Sequence, residues 1–331
     1  MRILVTGGLG FIGSHTVIAL LSSNHEVYIV DNLSNTRAKV LNSLNAISNK
    51  ENIPFQDIDV TDENALDHLF FTQQFDGVIH FAGYKAVAES VSMPLAYYKN
   101  NVMSTILLAE ACLKYGVGRF VFSSSATVYG ENEVPFTEDM PLAVTTNPYG
   151  ETKSMSERIL KDVVATNHQF SVALLRYFNP VGAHPSGLIG ESPNGVPNNL
   201  MPYISQTARG IRAKLHVFGG DYPTHDGTGV RDFIHVMDLA EGHVAAIENL
   251  QRGVHTYNLG TGKGISVLEL IHTFKKINAT EVPFEIVERR PGDVASSFAD
   301  VTKAERELGW KATRTLEDMC RDAWRFEINS R

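Results

Sequence analysis

The 331-residue sequence predicts an α/β fold, in which a doubly wound parallel sheet is followed by a smaller, mixed α/β C-terminal domain. In the first half, short apolar runs alternate with segments long enough to form crossover helices, which is typical of parallel sheets. Several of these runs are apolar on consecutive residues, as expected for strands buried on both faces. After Phe178 the elements become shorter and more mixed, which predicts the second domain.

The apolar runs locate the strands of the first domain. We expect these strands, in chain order, at Ile3–Thr6, Val27–Val30, Phe55–Asp59, Gly77–Phe81, Arg119–Ser123 and Ser171–Arg176. Residues 179–202 contain five prolines and four glycines among polar residues, and this composition predicts a loop.

Beyond this loop the elements are short. We expect strands at Lys214–Phe218, Val230–His235 and His255–Asn258, and helices at Val236–Asn249, Thr302–Gly309 and Thr315–Glu327. The chain therefore divides into residues 1–178 and 179–331, with parts of 230–262 expected to return and pack on the first domain.

The composition excludes several classes of protein. Hydrophobic residues make up 43% and charged residues 20%, which is ordinary for a globular chain. No apolar run approaches the roughly 20 residues of a membrane helix, and no signal or transit peptide is recognisable. A net charge of -8 argues against a nucleic-acid or membrane partner, although one anionic ligand could bind to local cations in a pocket. The two cysteines, Cys112 and Cys320, predict no disulfide framework and fit a reducing cytoplasm.

Gly7, Gly10 and Gly13 lie where the first predicted strand passes into a helix. Glycine permits a tight turn there and lets main-chain N–H groups approach a pyrophosphate at the helix N-terminus. The GxxGxxG spacing is the variant associated with short-chain dehydrogenases. Its position between a strand and a helix favours a dinucleotide site in a Rossmann domain over a turn without a ligand.

Asp31 ends the second predicted strand. A carboxylate there can accept hydrogen bonds from the adenosine ribose hydroxyls and would repel a 2′-phosphate, so we predict NAD rather than NADP. The alternative is an ordinary acidic residue at a strand end. Asp59, at the end of the third predicted strand, is a weaker candidate for the adenine end of the cofactor.

Tyr149 and Lys153 form a Tyr-x-x-x-Lys motif at the start of a predicted helix, so the ammonium can lie beside the phenol. A free tyrosine titrates near ~10, but a neighbouring lysine and a cationic nicotinamide both favour the phenolate, which would act as a base. The motif alone also arises by chance. Ser125 follows the fifth strand at the carboxyl edge, where such sheets bind ligands, and is the candidate hydroxyl partner of the reacting oxygen. The alternative is a serine-rich turn.

With these residues identified, the whole chain resembles the UDP-glucose 4-epimerase family of extended short-chain dehydrogenases. The specific matching blocks are residues 80–83, 123–130, 175–185, 198–202, 226–238 and 289–293. The resemblance implies that residues 1–178 bind NAD and that residues 179–331 bind a nucleotide-linked sugar.

The resemblance also implies a reaction without net redox change. Tyr149, as phenolate, would remove the proton from the sugar 4-hydroxyl while C4 gives hydride to tightly bound NAD⁺. The 4-keto sugar would turn over in the site, and hydride would return to its other face. Lys153 would lower the pKa of the tyrosine and hold the nicotinamide ribose.

Two further sets of contact residues follow from the resemblance. Besides the three glycines, Asp31, Tyr149 and Lys153, the cofactor would be lined by Phe11, Ile12, Asn32, Asn35, Thr36, Asp59, Val60, Phe81, Ala82, Gly83, Lys85, Asn100, Tyr177 and Phe178. Besides Ser125 and Tyr149, the nucleotide-sugar would be held by Lys85, Asn179, Asn199, Leu200, His216, Val217, Phe218, Arg231, Arg290, Asp293 and Ser297.

Two arginines in the second set supply the local cations that an acidic protein needs for such a substrate. A sugar that must rotate cannot be held firmly, so the binding free energy must come from the remote UDP portion. Arg231 and Arg290 can clamp a diphosphate with planar, charge-assisted hydrogen bonds. Each could instead form an ordinary surface salt bridge.

At Ser297 the sequence departs from part of the family. Some members have a tyrosine two residues before an Ala-Asp pair, here Ala299 and Asp300, and it closes the sugar pocket near C2. A small residue there goes with acceptance of 2-acetamido sugars, so we expect interconversion of UDP-GlcNAc and UDP-GalNAc. The alternative is a loop serine without a steric role.

Two other functions fit the same fold. A nucleotide-sugar 4,6-dehydratase needs an extra acid–base pair after the fifth strand. Related dehydratases have Thr-Asp-Glu where this chain has Ser125, Ala126 and Thr127, so elimination is disfavoured. A non-catalytic NAD-binding regulator would have no need of Tyr149 and Lys153.

The sequence also suggests a homodimer and no metal site. The aliphatic stripes of residues 102–113 and 155–164 are expected to be core on one face, and related enzymes pair through these two helices, which suggests a homodimer. The twelve histidines have no metal-ligand spacing, so no metal is expected.

Overall fold

The computed structural model describes residues 1–192, 195, 197–290 and 292–330. Residues 193, 194 and 196 of the expected loop, and residue 291 of the last matching block, lie outside the described residues. In the part of the chain that is described, no helix is both long and apolar enough to span a bilayer.

Strands and helices alternate through the first half of the chain. The strands are Arg2–Thr6 (β1), Glu26–Asp31 (β2), Phe55–Asp57 (β3), Gly77–His80 (β4), Arg119–Ser125 (β5), Ser171–Tyr177 (β6), Asn179–Val181 (β7), Leu215–Phe218 (β8), Val230–Arg231 (β9), Phe233–His235 (β10), Val254–Leu259 (β11), Ile265–Ser266 (β12), Phe284–Val287 (β13) and Ser296–Ser297 (β14). The helices are Phe11–Ser22 (α1), Lys39–Ser48 (α2), Glu63–Thr72 (α3), Val87–Ser92 (α4), Pro94–Tyr97 (α5), Met103–Tyr115 (α6), Pro148–Thr166 (α7), Leu200–Ala208 (α8), Val236–Glu248 (α9), Val267–Asn278 (α10), Thr302–Leu308 (α11) and Leu316–Asn329 (α12).

A seven-stranded parallel sheet forms the centre of the fold, in the order β11-β6-β5-β4-β1-β2-β3. Every residue of β6 is buried, which explains why its sequence is apolar on consecutive positions. The strand order reverses between β4 and β1, and sheets of this kind bind ligands in the crevice at that point. The prediction of a doubly wound parallel sheet is confirmed.

Helices cover both faces of this sheet. On one face, α1 packs on α9 through side chains that include Val17 and Leu239. On the other face, α3, α6 and α7 contribute Leu66, Leu108 and Leu160 to a second apolar cluster. The catalytic candidates on α7 therefore lie on a helix that is fixed to the sheet by buried apolar contacts.

Two elements from the second half of the chain belong to this central layer. Strand β11 pairs with β6, from Val254 opposite Val172 to Leu259 opposite Tyr177, and α9 packs on α1. Both lie within residues 230–262, the segment that was expected to pack on the first domain. The sheet edge beside β6 is thus completed by a strand that is distant in sequence.

The remaining sheets are short and surround a separate apolar cluster. Strand β8 pairs with β13, β7 with β10, and β9 lies between β12 and β14. Beneath them, α8, α10 and α12 contribute Ile204, Phe274 and Met319 to the cluster. Helices α10 and α12 each begin with a capping box, at Ser266 and Thr315, which fixes where they start.

The structure corrects two expected boundaries. The segment 179–202 was expected to be a loop, yet it contains β7 and the start of α8. The third strand ends at Asp57, two residues before its expected end, so Asp59 lies in the loop after the strand.

The single strand expected at Val230–His235 is also wrong, because β9 and β10 lie in different sheets. Asp232 separates them. Its buried carboxylate accepts hydrogen bonds from the main-chain N–H groups of Thr261 at 2.8 Å and Gly262 at 3.0 Å. This local bonding holds the chain in a bend where the apolar pattern alone suggests one continuous strand.

Candidate active site

The turn between β1 and α1 is closed by glycines at positions where a side chain does not fit. Gly7 has a φ of +68°, and its N–H donates to the carbonyl of Val30 at 2.7 Å. A Cβ on Gly13 would lie 2.2 Å from the Gly7 oxygen, so the first turn of α1 packs directly on the loop. The N-cap residue of α1 is Gly10, which has no side chain that could bond the first main-chain N–H groups of the helix. The main-chain N–H groups at this positive helix end form a cradle that fits a pyrophosphate.

Asp31 connects this turn to the loop after β2. Its buried carboxylate accepts hydrogen bonds from the N–H of Leu9 at 3.1 Å, the N–H of Leu33 at 3.0 Å and the hydroxyl of Thr36 at 2.7 Å. Burial raises the pKa of Asp31, although these hydrogen bonds oppose the shift. A carboxylate has about four acceptor positions, so one remains for a ribose hydroxyl.

The other residues predicted to line the cofactor follow the carboxyl ends of neighbouring strands. Phe11 and Ile12 begin α1; Asn32, Asn35 and Thr36 follow β2; Asp59 and Val60 follow β3; Phe81, Ala82, Gly83 and Lys85 follow β4; and Asn100 precedes α6. The loops after β1 and β4 are in direct contact, since a Cβ on Gly7 would lie 2.8 Å from the main-chain nitrogen of Ala82. These residues therefore gather at the switch point of the sheet.

Asn101 is a residue of this region that the sequence reasoning missed. It is buried, and its amide accepts from the N–H of Tyr84 at 2.8 Å and donates to the carbonyl of Tyr84 at 2.9 Å. It also donates to the hydroxyl of Thr152 on α7 at 3.1 Å. Asn101 thus ties the loop after β4 to the helix of Tyr149 and Lys153, and no local motif marks a residue whose partners are so distant in sequence.

Tyr149 lies in the first turn of α7. Asn147 caps this helix by accepting from the N–H of Gly150 at 2.9 Å, and Pro148 occupies the first helical position, where its missing N–H has no cost. Ser125, which ends β5, lies close enough to the Tyr149 hydroxyl to lower its pKa. The helix start therefore places the phenol against the end of the sheet.

Lys153 lies one turn further along α7, with its side chain in the interior. Its ammonium donates to the carbonyl of Ser123 at 2.7 Å and lies 6.0 Å from the centre of the Tyr149 ring. Burial lowers the pKa of Lys153 to about 8. The Ser–Tyr–Lys arrangement predicted from the sequence is thus brought together at one sheet edge.

The pKa of Tyr149 differs from expectation. We expected it to lie below its usual value, but within the polypeptide burial raises the pKa of Tyr149, and the hydrogen bond from Ser125 only partly opposes this. The reason is that desolvation disfavours the phenolate, while the ammonium of Lys153 lies below the ring and not at the oxygen. A low pKa would therefore depend on a further positive charge at the phenol.

Tyr177 and Phe178 lie at the end of β6 and just beyond it. The hydroxyl of Tyr177 forms a hydrogen bond with that of Ser123, and the Phe178 ring stacks on Phe136 with the centroids 6.2 Å apart. Burial raises the pKa of Tyr177, so this phenol stays protonated. These contacts close the floor of the cleft beside Lys153.

Lys85 is joined to the loop before α8 by an acidic residue that was not predicted. Its ammonium lies 2.9 Å from a carboxylate oxygen of Glu191, and the same oxygen accepts from the Asn199 side chain at 2.5 Å. Two residues expected at the cofactor and the sugar are thereby held by one carboxylate. Glu191 lies in the Pro- and Gly-rich segment, whose composition gave no sign of a specific contact.

Two arginines in the second half of the chain lie close enough to repel each other. The guanidinium of Arg231 lies 3.8 Å from Asp293, and that of Arg290 stacks over the Phe218 ring at 4.4 Å. Burial lowers the pKa of Arg231, with a further repulsive contribution from Arg290. Two neighbouring guanidinium groups beside one carboxylate leave a local excess of positive charge, which suits a diphosphate.

The other predicted substrate residues frame this arginine pair. Asn179 lies at the start of β7, Asn199 and Leu200 at the start of α8, and His216 and Phe218 are exposed on β8. Val217, between the last two, is buried in the apolar cluster beneath the short sheets, so only its main chain is available to a ligand. The side chain of His216 lies 3.1 Å from Glu285.

Ser297 lies beside Arg231, because β14 and β9 pair in parallel with these residues opposite each other. An open cavity of about 550 Å³ adjoins β14 and is lined by residues 130–134 and 293–296.

Comparison with known proteins identifies the family. The family model described as GDP-mannose 4,6 dehydratase matches residues 4–323. A curated UDP-glucose 4-epimerase of Bacillus subtilis is 57% identical over 333 residues, covering 100% of this chain and 98% of the relative. The chain belongs to the UDP-glucose 4-epimerase family. The predicted family and the predicted class of NAD-dependent isomerase are thereby confirmed.

Solved structures of this epimerase family have the same fold. The Bifidobacterium longum UDP-glucose 4-epimerase, in complex with NAD⁺ and UDP, has a TM-score of 0.96 and 48% identity, covering 100% of this chain and 99% of that one. The UDP-Glc/GlcNAc 4-epimerase of Campylobacter jejuni has a TM-score of 0.85 and 38% identity, covering 99% of both chains. The cofactor predicted from the sequence is the one bound in the first of these relatives.

Proposed function

We propose that this chain interconverts UDP-galactose and UDP-glucose through a 4-keto intermediate, with NAD retained in the site. One observation supports this most directly. Tyr149 and the buried Lys153 lie at the same sheet edge as the glycine cradle, and Arg231 and Arg290 supply a further group of positive charge. A base, a dinucleotide site and a pair of cations suited to a diphosphate fit a nucleotide-linked sugar.

The residues of the site divide the work. Tyr149 takes the proton of the sugar 4-hydroxyl and returns it, while Ser125 donates a hydrogen bond to the reacting oxygen. NAD⁺, when bound, accepts hydride from C4 and gives it back to either face of the ketone. Arg231 and Arg290 hold the diphosphate, so the pyranose itself is free to rotate between the two transfers.

The charge that would favour the ionised form of the phenol is that of the oxidised cofactor. Lys153 is held below the ring by the Ser123 carbonyl, and it would also hold the nicotinamide ribose. The oxidised nicotinamide is cationic, so its presence lowers the pKa of Tyr149 against the effect of burial. Tyr149 therefore becomes a base only when the oxidised cofactor is in place.

Incubation with UDP-galactose tests this function against its two alternatives. We expect UDP-glucose as the product, without added NAD if the cofactor is retained, and without net reduction of it. Nucleotide-sugar products can be separated by chromatography, and the dinucleotide measured after denaturation. A stable keto-sugar would indicate a 4,6-dehydratase, and the absence of any product from NAD-loaded protein would indicate a non-catalytic regulator.

We propose further that UDP-GlcNAc and UDP-GalNAc are substrates. Ser297 is small and lies beside Arg231, one of the two arginines proposed to hold the diphosphate. The similarity to the Campylobacter jejuni protein, named a UDP-Glc/GlcNAc 4-epimerase, supports the same conclusion.

Ser297→Tyr tests this specificity. A ring at this position fills space near C2, so we expect kcat/KM for UDP-GlcNAc to fall by about a hundredfold, with less than about threefold change for UDP-galactose. Ser297→Ala is the matched control, because it changes the same position without adding a ring. An equal loss with both substrates, or wild-type activity on UDP-GlcNAc, would contradict the proposal.

We also propose a homodimer formed through α6 and α7. Val91, Leu95 and Met103, on α4, α5 and the start of α6, are 62%, 72% and 45% exposed. Apolar side chains of this size on neighbouring helices are typical of a surface that pairs with another chain. Sedimentation equilibrium would contradict this proposal if only the single-chain mass were found at micromolar concentration.

A cytoplasmic location is proposed on the basis of the cysteines. Cys112 and Cys320 are both free and buried, and burial raises the pKa of the Cys320 thiol to about 12. Neither thiol is therefore reactive, and the fold does not depend on an oxidising compartment.

A further inference from the structure

A buried ion pair lies beneath the helix of Tyr149 and Lys153. Arg176 donates from Nε to one oxygen of Glu157 at 2.9 Å and from Nη2 to the other at 2.6 Å. Their side chains are 2% and 0% exposed. Replacing such a pair with apolar residues is often neutral or stabilising, so stability alone does not account for its presence.

This pair is placed between the parts of the proposed active site. Arg176 lies on β6 directly opposite Ser124 of β5, and the hydroxyl of Ser124 donates to Glu157 at 2.6 Å. Ser124 is flanked by Ser123, whose carbonyl holds the lysine, and by Ser125, whose side chain acts on the Tyr149 hydroxyl. A single carboxylate on α7 thus contacts both strands that form the floor of the cleft.

The position of Glu157 on α7 makes Lys153 and Arg176 competing partners for its carboxylate. Lys153 and Glu157 are four residues apart on one helix, a spacing at which opposite charges are neighbours and attract each other. In the described structure, the ion partners of Glu157 are nevertheless Arg176 and the half-exposed Lys161 at 3.8 Å. Lys153 instead donates to Ser123 and faces the Phe122 ring at 4.9 Å.

We propose that Arg176 is a positioning residue that keeps Glu157 from pairing with Lys153, so that the lysine ammonium stays at the Ser123 carbonyl, beneath the Tyr149 ring. The inference rests on the proposed epimerase function. Arg176 does this by occupying both oxygens of the carboxylate, and stacking over Tyr129 at 4.9 Å fixes its own guanidinium. Without Arg176, the unpaired carboxylate would draw Lys153 away from Ser123.

The other titratable groups around these residues do not compensate. Lys153 and Tyr149 are faced by His80 from β4, Tyr97 from α5 and Tyr177 from β6. Burial lowers the pKa of His80 to about 3 and raises the pKa of both tyrosines, so all three are neutral at ordinary pH. Glu157 is also faced by the neutral Tyr129, and Lys161 is too exposed to neutralise it as Arg176 does.

Two substitutions that both break the ion pair separate this role from a purely structural one. In Arg176→Met a carboxylate remains beside Lys153, so we expect kcat per bound NAD to fall about tenfold and the pH of half-maximal kcat to rise by about one unit. In Glu157→Gln no carboxylate remains, so the midpoint should not rise. The double variant Glu157→Met/Arg176→Met should return the midpoint to that of the wild type.

The measurement is the pH profile of kcat, normalised to NAD content, for all four proteins. A wild-type midpoint in Arg176→Met, or equal upward shifts in Arg176→Met and Glu157→Gln, would overturn the inference. If Arg176→Met does not fold, Arg176→Lys should show the same direction, since it keeps the charge but loses the two-point contact. If the wild type lacks epimerase activity, the proposed function fails by itself. The inference is then still tested by the titration of Tyr149, which is measured as the difference in tyrosinate absorbance between each protein and its Tyr149→Phe variant.

Discussion

Tyr149→Phe is expected to lower kcat for UDP-galactose by about a thousandfold and to leave the amount of bound NAD unchanged. Phenylalanine keeps the ring against the sheet edge but removes the only hydroxyl proposed to take the proton. The interaction with Ser125 is lost too, while the glycine cradle and Asp31, which are proposed to hold the dinucleotide, are untouched. Steady-state kinetics and the NAD content of the purified variant measure both parts.

Tyr203→Phe is the matched control for this substitution. Tyr203 lies on α8, where Arg212 stacks over its ring at 4.6 Å, and the ring is kept in the variant. Its kcat should stay within about twofold of the wild type, because exposed or partly exposed changes away from the site have small effects. A Tyr149→Phe enzyme with near-normal kcat would assign the proton transfer to another group.

Gly13→Ala is expected to remove most of the bound NAD. The new Cβ would lie 2.2 Å from the carbonyl oxygen of Gly7, and this main-chain atom cannot rotate aside as a side chain does. Overpacking of this kind costs about 1–3 kcal/mol, and at the upper end it corresponds to about a hundredfold weaker binding. Dialysed protein should therefore contain little NAD, and its melting temperature should respond to added NAD only at high concentration.

Gly116→Ala distinguishes loss of the cradle from general destabilisation. Gly116 ends α6 with a φ of +73°, and a Cβ there would meet no atom within 4 Å. The left-handed conformation makes alanine unfavourable by about 1 kcal/mol, but the position is remote from the cradle. Gly116→Ala should lower the melting temperature and keep its NAD. Full NAD occupancy in dialysed Gly13→Ala would mean that the loop is not the phosphate site.

Local patterns were enough to predict much of the fold and of the candidate site. The strands of the parallel sheet are buried on both faces, so their apolar runs could be recognised, and Gly7 and Gly13 occupy positions that only glycine fits. The closeness of Tyr149 and Lys153 could be predicted because residues four apart lie on the same face of a helix. These features depend on residues that are close together in sequence.

The features that were missed depend on contacts between distant residues. Asn101 bonds Tyr84 and Thr152, and Glu191 bonds Lys85. Because these partners are far away in sequence, no local motif indicates the contacts. The division of Val230–His235 into two strands results from hydrogen bonds between Asp232 and residues near 261 and 299. Periodicity contains no information about such partners.

Strand β11 lies far after β6 in the sequence, and this has a consequence for folding during synthesis. A ribosome must synthesise the chain through Leu259 before the strand beside β6 exists, although the first six strands are complete by Tyr177. Until then β6 is an unpaired edge whose seven residues are all buried in the finished molecule, and such edges pair with other chains. We therefore expect an expressed fragment that ends near residue 178 to aggregate. A nascent chain of that length is expected to bind chaperones.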